Sequence, residues 1–289
     1  KKDSNKTKVK RILVLLGSHG EEKKKYKKQY TGRMLEEVMK SFKEIMEYIE
    51  HAGVSKTERN IKALVIQGIL AGMFIAIGAI AYFRLVAYTE DPGVGKFLGA
   101  LIFPTGIIAI LLLGSELFTS DCMAILSVYK KSVKTGKFMK MLTTVLAANL
   151  VGAVIIALLS TGAGIFSEHM IEVISNSAVA KTTMPVGQMF ISAVLCNIIV
   201  CSGVMMAYSA KTVAGKILAV WFPIAVFVLS GTEHIVANMF YLVMAFVNGA
   251  NITVAGILIS FVVVAIGNFV GGAVIIAGAN YYIDKELAA

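Results

Sequence analysis

FPIAVFVLSGTEHIVANMF, residues Phe222–Phe240, sets an acid and an imidazole, Glu233 and His234, side by side in an otherwise apolar run. Ionisable groups are costly in hydrocarbon, so at such a depth they need a partner, a cavity or a task. An earlier stretch repeats the pattern. FPTGIIAILLLGSELFTSD, Phe103–Asp121, also opens on Phe-Pro and runs through aliphatic residues to a glycine, a small polar residue and a glutamate. Gly114, Ser115 and Glu116 thus correspond to Gly231, Thr232 and Glu233. Both stretches lie in apolar segments too long for one simple span and charged near their middles. Each is predicted to be a helix broken within a membrane.

The rest of the chain fits that setting. The 289 residues are 57% hydrophobic and 16% charged, with a mean hydropathy of +0.75. Residues 61–283 hold too few polar side chains to coat a soluble domain, so an all-α integral membrane protein is expected. A spanning helix needs about 20 apolar residues. Six candidates follow: 61–83, 98–128 (interrupted), 139–166, 186–208, 217–247 (interrupted) and 253–281.

The net charge of +10 reflects a basic N-terminal region and basic short loops, and no nucleic-acid partner is expected. Lys130, Lys131, Lys134, Lys137 and Lys140 lie between spans two and three, and Lys211 and Lys216 between spans four and five. The alternate loops are poorer in cations. This bias puts the basic loops and both termini in the cytoplasm of a multi-pass inner (plasma) membrane protein. The division expected is 1–60 as a basic cytoplasmic region with an amphipathic helix, 61–283 as the six-span domain, and 284–289 as a cytoplasmic tail. The Lys-rich first ten residues are not followed by an apolar core suited to a signal peptide.

Each broken span is the second of a three-span half. An odd number of spans per half makes the halves inverted, and matched interrupted helices in inverted halves point to a permeation site near the midplane. A break exposes backbone N–H and C=O groups, tolerated only where protein or a water-filled cavity satisfies them. Half-helix N-termini favour a nearby anion. Glu116 and Glu233 are read as structural, accepting from orphan N–H groups and turned from the lumen. His234 is the only histidine in an apolar span. With an ordinary pKa of about 6.5, it can donate a hydrogen bond to a passing anion, or lend a proton so that the anion crosses an apolar gate as its neutral acid. One histidine cannot supply both axial ligands of a membrane haem, and no cofactor or metal is expected. Cys122, Cys196 and Cys201 are read as small buried hydrophobes. Gly68 with Gly72, and Gly267 with Gly271, are spaced for close helix packing.

LFTSD (Leu117–Asp121), NIIVC (Asn197–Cys201), Phe222–Phe240 and the pre-membrane stretch EIMEYIEHAGVSK (Glu44–Lys56) together resemble the formate/nitrite transporter family, over about residues 42–285. The resemblance implies an aquaporin-like six-helix protomer, a homopentamer in the bilayer, and one pore per protomer. The pore would pass a small monovalent anion such as formate, nitrite or hydrosulfide, without enzymatic chemistry. Neither broken span carries the Asn-Pro-Ala triplet of aquaporins themselves. Residue by residue, the family's central histidine matches His234 and its break threonine Thr119, which could donate to His234 or to substrate. The lysine before the fourth span matches Lys181, a cation that would gather anions at the outer mouth, and the fourth-span asparagine matches Asn197. Apolar constrictions match Leu117, Phe118, Phe227 and Ile107. The amphipathic segment 41–56 is expected to abut the cytoplasmic mouth and to gate it.

The N-terminal stretches Val9–Gly20 and Thr31–Phe42 read as a strand, a loop and a helix, and faintly resemble the opening of flavodoxin-like reductases. That motivates a rival function, a membrane-anchored flavin reductase. About 60 residues cannot build a doubly wound sheet, so a basic tail at the membrane surface is the reading adopted.

Overall fold

The computed structural model describes residues 39–288, which are helical almost throughout. The strand–loop–helix reading of Val9–Gly20 and Thr31–Phe42 lies outside the described residues as far as residue 38.

Helix α1 (Phe42–Glu58) starts on a capping box: Ser41 accepts from the Glu44 N–H, and the Glu44 carboxylate accepts from the Ser41 N–H. One face of α1 buries Ile45, Met46, Ile49 and Gly53. A Cβ on Gly53 would lie 2.8 Å from the Ala124 carbonyl oxygen, so α1 sits directly on the second half of the first broken segment. Helix α2 (Ile61–Tyr88) follows. The first broken segment then comprises α3 (Pro92–Ile102), α4 (Thr105–Leu113), α5 (Phe118–Asp121), a 3-10 turn (Cys122–Ile125) and α6 (Leu126–Tyr129). Helix α7 (Thr135–Gly162) closes the first half. Helix α8 (Glu168–Thr183) leads into α9 (Val186–Ser209), and the second broken segment is α10 (Val213–Leu229) with α11 (Ile235–Val247). Helix α12 (Val254–Phe269) runs through a π-helical stretch (Val270–Ala277) into α13 (Gly278–Ala288).

Among the described residues, five helical segments are long and apolar enough to cross a membrane: Ile61–Tyr88, Pro92–Leu113, Thr135–Gly162, Val186–Ser209 and Val254–Ala288. Phe118–Tyr129, Val213–Leu229 and Ile235–Val247 are shorter apolar helices. The breaks fall where the repeat places them. Gly114 (φ 71°) and Gly231 (φ 65°) turn the chain out of α4 and α10 through the left-handed region. Nothing lies within 4 Å of a Cβ at either position, so the backbone conformation, not crowding, calls for glycine.

Close helix pairs frame each half. Helix α2 packs along α7, and α9 along α12 and the π stretch. A Cβ on Gly72 would come within 2.1 Å of the Asn149 carbonyl oxygen, and one on Gly271 within 2.3 Å of the Val194 carbonyl oxygen. The small-residue spacings of α2 and of the final helix therefore serve packing inside the protomer.

Two local features add to the sequence reading. The connection 167–183 is mostly helix α8, capped by the Ser167 hydroxyl accepting from the Met170 N–H. The two Phe-Pro openings differ: the chain bends between α3 and α4 at Phe103–Pro104, whereas Pro223 lies inside an unbroken α10. The final helix runs on to Ala288.

Candidate permeation site

Each break is strapped by one asparagine from the long helix that follows it in its own half. Asn149 on α7 accepts from the Phe118 N–H at 2.9 Å and donates to the carbonyls of Gly68 (2.8 Å) and Glu116 (2.9 Å). Asn268 on α12 accepts from the Ile235 N–H at 2.9 Å and donates to the carbonyls of Ala193 (2.7 Å) and Glu233 (2.9 Å). The two straps correspond atom for atom. Each takes the N–H two residues after the glutamate, the glutamate's own carbonyl, and a carbonyl of the first helix in that half. They supply the partners that an apolar surrounding withholds.

The glutamates do not take the orphan N–H groups, as expected from sequence, because the asparagines already hold that backbone. Their carboxylates take cations instead. Glu233 accepts from Lys181 Nζ at 2.7 Å and from Asn238 Nδ2 at 2.6 Å, and its N–H donates to Ser192 Oγ at 3.1 Å. Glu116 pairs with Arg59 and, at 2.6 Å, with Lys56 Nζ, both from α1 and its C-terminal cap. Lys56 also reaches Asp121 at 2.5 Å. Burial would lower the Lys56 amine, but Asp121 and Glu116 hold it well above the usual lysine value, so it stays charged.

Two cavities open at the breaks. One, of about 420 Å³, is lined by Lys181, Glu233, Asn238, Tyr241, Phe227 and His234, among others. The other, of about 400 Å³, is lined by residues of α1, including His51 and Lys56, by its C-terminal cap Arg59, and by Ser115, Glu116 and Ser120. Leu117, Phe118 and Thr119 are buried and line neither. Leu117 is the N-cap of α5 and Phe118 and Thr119 are its first residues; there Thr119 Oγ1 meets His234 Nε2 at 3.0 Å. The His234 ring stacks on Phe227, with centroids 5.4 Å apart.

His234 caps α11: its Nδ1 accepts from the Ala237 N–H at 3.2 Å. A backbone N–H can only donate, so Nδ1 carries a lone pair and the neutral ring holds its proton on Nε2. Nε2–H then donates to Thr119, the reverse of the direction in which Thr119 gives to the ring.

The remaining sequence-predicted residues fall around this pair. Asn197 lines neither cavity; its Nδ2 donates to the Thr119 and Asn268 carbonyls, at 3.2 and 2.6 Å, and so holds the threonine in place. Ile107 is buried and also lines neither. Lys181 is in the last turn of α8, and its amine is bound to Glu233 as well as facing the cavity. Cys122, Cys196 and Cys201 are buried free thiols. Sequence reasoning missed Asn149, Asn268, Asn238 and the part played by Lys56. The available signal was a lone asparagine in each long apolar helix that follows a break.

The family model described as "Formate/nitrite transporter" matches residues 43–282. The chain belongs to this family. A Bacillus subtilis protein described as an uncharacterized transporter is 33% identical over 83% of this chain and 91% of its own length. A nitrite transporter of Salmonella typhimurium is 33% identical over 74% of this chain and 80% of its own. A solved pentameric formate channel with formate bound superposes with a TM-score of 0.70 at 27% identity, covering 78% of this chain and 98% of that one. Members of the family are channels and transporters rather than enzymes, and this chain is an integral membrane protein with apolar helices to match.

The Lys181–Glu233 pair yields a test. Removing one partner of a buried ion pair strands the other charge. Lys181→Met is expected to leave a carboxylate facing the cavity that Glu233 lines and to depress anion entry, most at low ionic strength where screening is weak. Adding Glu233→Gln should restore much of the flux. Flux in liposomes at low and high salt checks this; a double variant no better than Lys181→Met would mean that charge is not the cause.

Proposed function

We propose that this protein is a membrane pore for small monovalent anions of weak acids, formate and nitrite foremost. The observation that carries the reading is the buried Thr119–His234 pair, with His234 on the wall of one cavity and Ser120, next to Thr119, on the wall of the other, flanked by Leu117, Phe118 and Phe227. An anion leaving water for an apolar gate loses its hydration, and a single fixed donor at the midpoint offsets part of that loss. His234 acts as that donor through Nε2–H. The Nδ1 cap favours hydrogen-bond donation over proton lending, since an imidazolium would have to give up the Ala237 contact. The proton that neutralises a permeating anion then comes from water at the mouths. Thr119 is the partner of Nε2–H when no anion is present, and Ile107 and Asn197 support the gate from behind.

The protomer is read as six spans in two inverted halves, the second and fifth being the broken ones, assembled as a homopentamer. The matching asparagine straps support the inverted plan, and the family relationship supports the oligomer. The lysine bias supports cytoplasmic termini and a cytoplasmic α1. A Cys introduced at Asn176 should then be labelled from outside intact cells and one at Thr135 should not; the opposite pattern would invert the orientation.

Flux into liposomes tests the function directly. Formate and nitrite should equilibrate far faster than in protein-free vesicles, and faster at lower pH as more neutral acid is available. Chloride should not follow, and hydrosulfide is the further arm of the panel. Chloride flux equal to formate flux would sink the weak-acid reading.

A further inference from the structure

The two breaks share one plan, and the fifth position after the glutamate is among those at which they differ. Five residues after Glu233 stands Asn238, whose Nδ2 donates to Glu233 Oε2 at 2.6 Å. Five residues after Glu116 stands Asp121. Its side chain is buried, and Lys56 Nζ donates to its Oδ1 at 2.5 Å. The same amine lies 2.6 Å from Glu116 Oε2, so one cation joins the two buried carboxyl groups. Asp121 Oδ2 has no hydrogen-bond partner among the described residues. In the second half, the amide at this position fills the gap with an N–H. A carboxylate has no hydrogen to give, whereas a carboxylic acid does.

We propose that Asp121 is a proton-binding site: it carries a proton on Oδ2 and donates it to Glu116, reproducing at the inner break the contact that Asn238 makes with Glu233. The O–H bond forms with a proton from water in the inner cavity, reached through Glu116, and breaks by returning it there. Glu116 is the poorer holder because it already faces both Lys56 and Arg59, while Asp121 faces Lys56 alone. The other titratable groups near Asp121 are Tyr208 and Cys201 on α9 and its neighbour Cys122; His51 lines the same cavity.

The proton sets the charge of this mouth. With it bound, Lys56, Arg59 and Glu116 leave one net positive charge; with it released, the four groups sum to zero. Anion entry on this side is favoured below the release and weakened as pH rises through it. One unit charge about 5 Å away in a water-like dielectric changes local anion concentration by about fourfold.

Infrared difference spectroscopy on the full-length protein in detergent reads the proton without any transport. Wild type should show a carboxylic-acid C=O band that vanishes on raising pH. Asp121→Asn should lack the band, and Asn238→Asp should gain a second one. In liposomes, formate permeability per unit of formic acid should fall about fourfold with rising pH in wild type and stay flat in Asp121→Asn. The flux arm rests on the pore reading and the spectroscopic arm does not. A protein with the band but no formate flux supports the proton site while sinking the pore. No band in wild type, a band that survives Asp121→Asn, no second band in Asn238→Asp, or identical pH profiles would each overturn the proposal.

Discussion

Replacing His234 by phenylalanine is expected to cut weak-acid flux by roughly 10- to 100-fold, the scale of losing one buried hydrogen bond to a charged group. The same variant should lose about 1 kcal/mol of stability, because the side chain that accepts from the Ala237 N–H at the start of α11 is gone. His234→Asn separates the two effects. Asparagine is a good capping residue, so its Oδ1 can take over the Ala237 N–H, but its short amide cannot stand where Nε2 meets Thr119. It should melt close to wild type and still conduct poorly. The checks are formate flux in liposomes together with a thermal melt of the purified protein. If His234→Asn conducts like wild type, the ring is a helix cap and nothing more.

Asn149→Leu and Asn268→Leu should abolish the folded protein rather than tune it. Each change keeps a similar volume but orphans one N–H and two carbonyls in a buried, apolar place. At about 1–3 kcal/mol per stranded group, either variant loses several kcal/mol, comparable with the whole stability of a typical domain. Size-exclusion profiles of the solubilised variants would settle it: a sharp, wild-type-like peak from either would show that the straps are dispensable. Asp in place of either Asn keeps the acceptor but loses both donors, and should fail nearly as badly.

The breaks were legible because their cause is local. A glycine that must take positive φ, followed by a polar residue and an acid within an apolar run, leaves a signature in a few adjacent letters, and it occurs twice. Family membership was legible for the same reason, since the shared motifs are contiguous. What closes the breaks was not. Asn149 and Asn268 sit alone in long apolar helices, and nothing adjacent to either marks it as a partner of Phe118 or Ile235. The acids were rightly placed at the breaks but given the wrong partners, because the lysines that hold them arrive from α1 and α8, far off in sequence. Helix α8 was hidden by its composition, which is mixed enough to pass for a loop until Ser167 is seen capping it.

The asparagine straps also set a timetable for biosynthesis. Phe118 precedes its acceptor Asn149 by 31 residues, and Ile235 precedes Asn268 by 33. At a synthesis rate of about 5–20 residues per second, each half spends roughly 2–7 s as two helices with an open backbone before its third helix delivers the missing partner. During that interval the bare N–H and C=O groups cannot rest in lipid. Until its strap arrives, each break needs a wet or protein-lined surrounding.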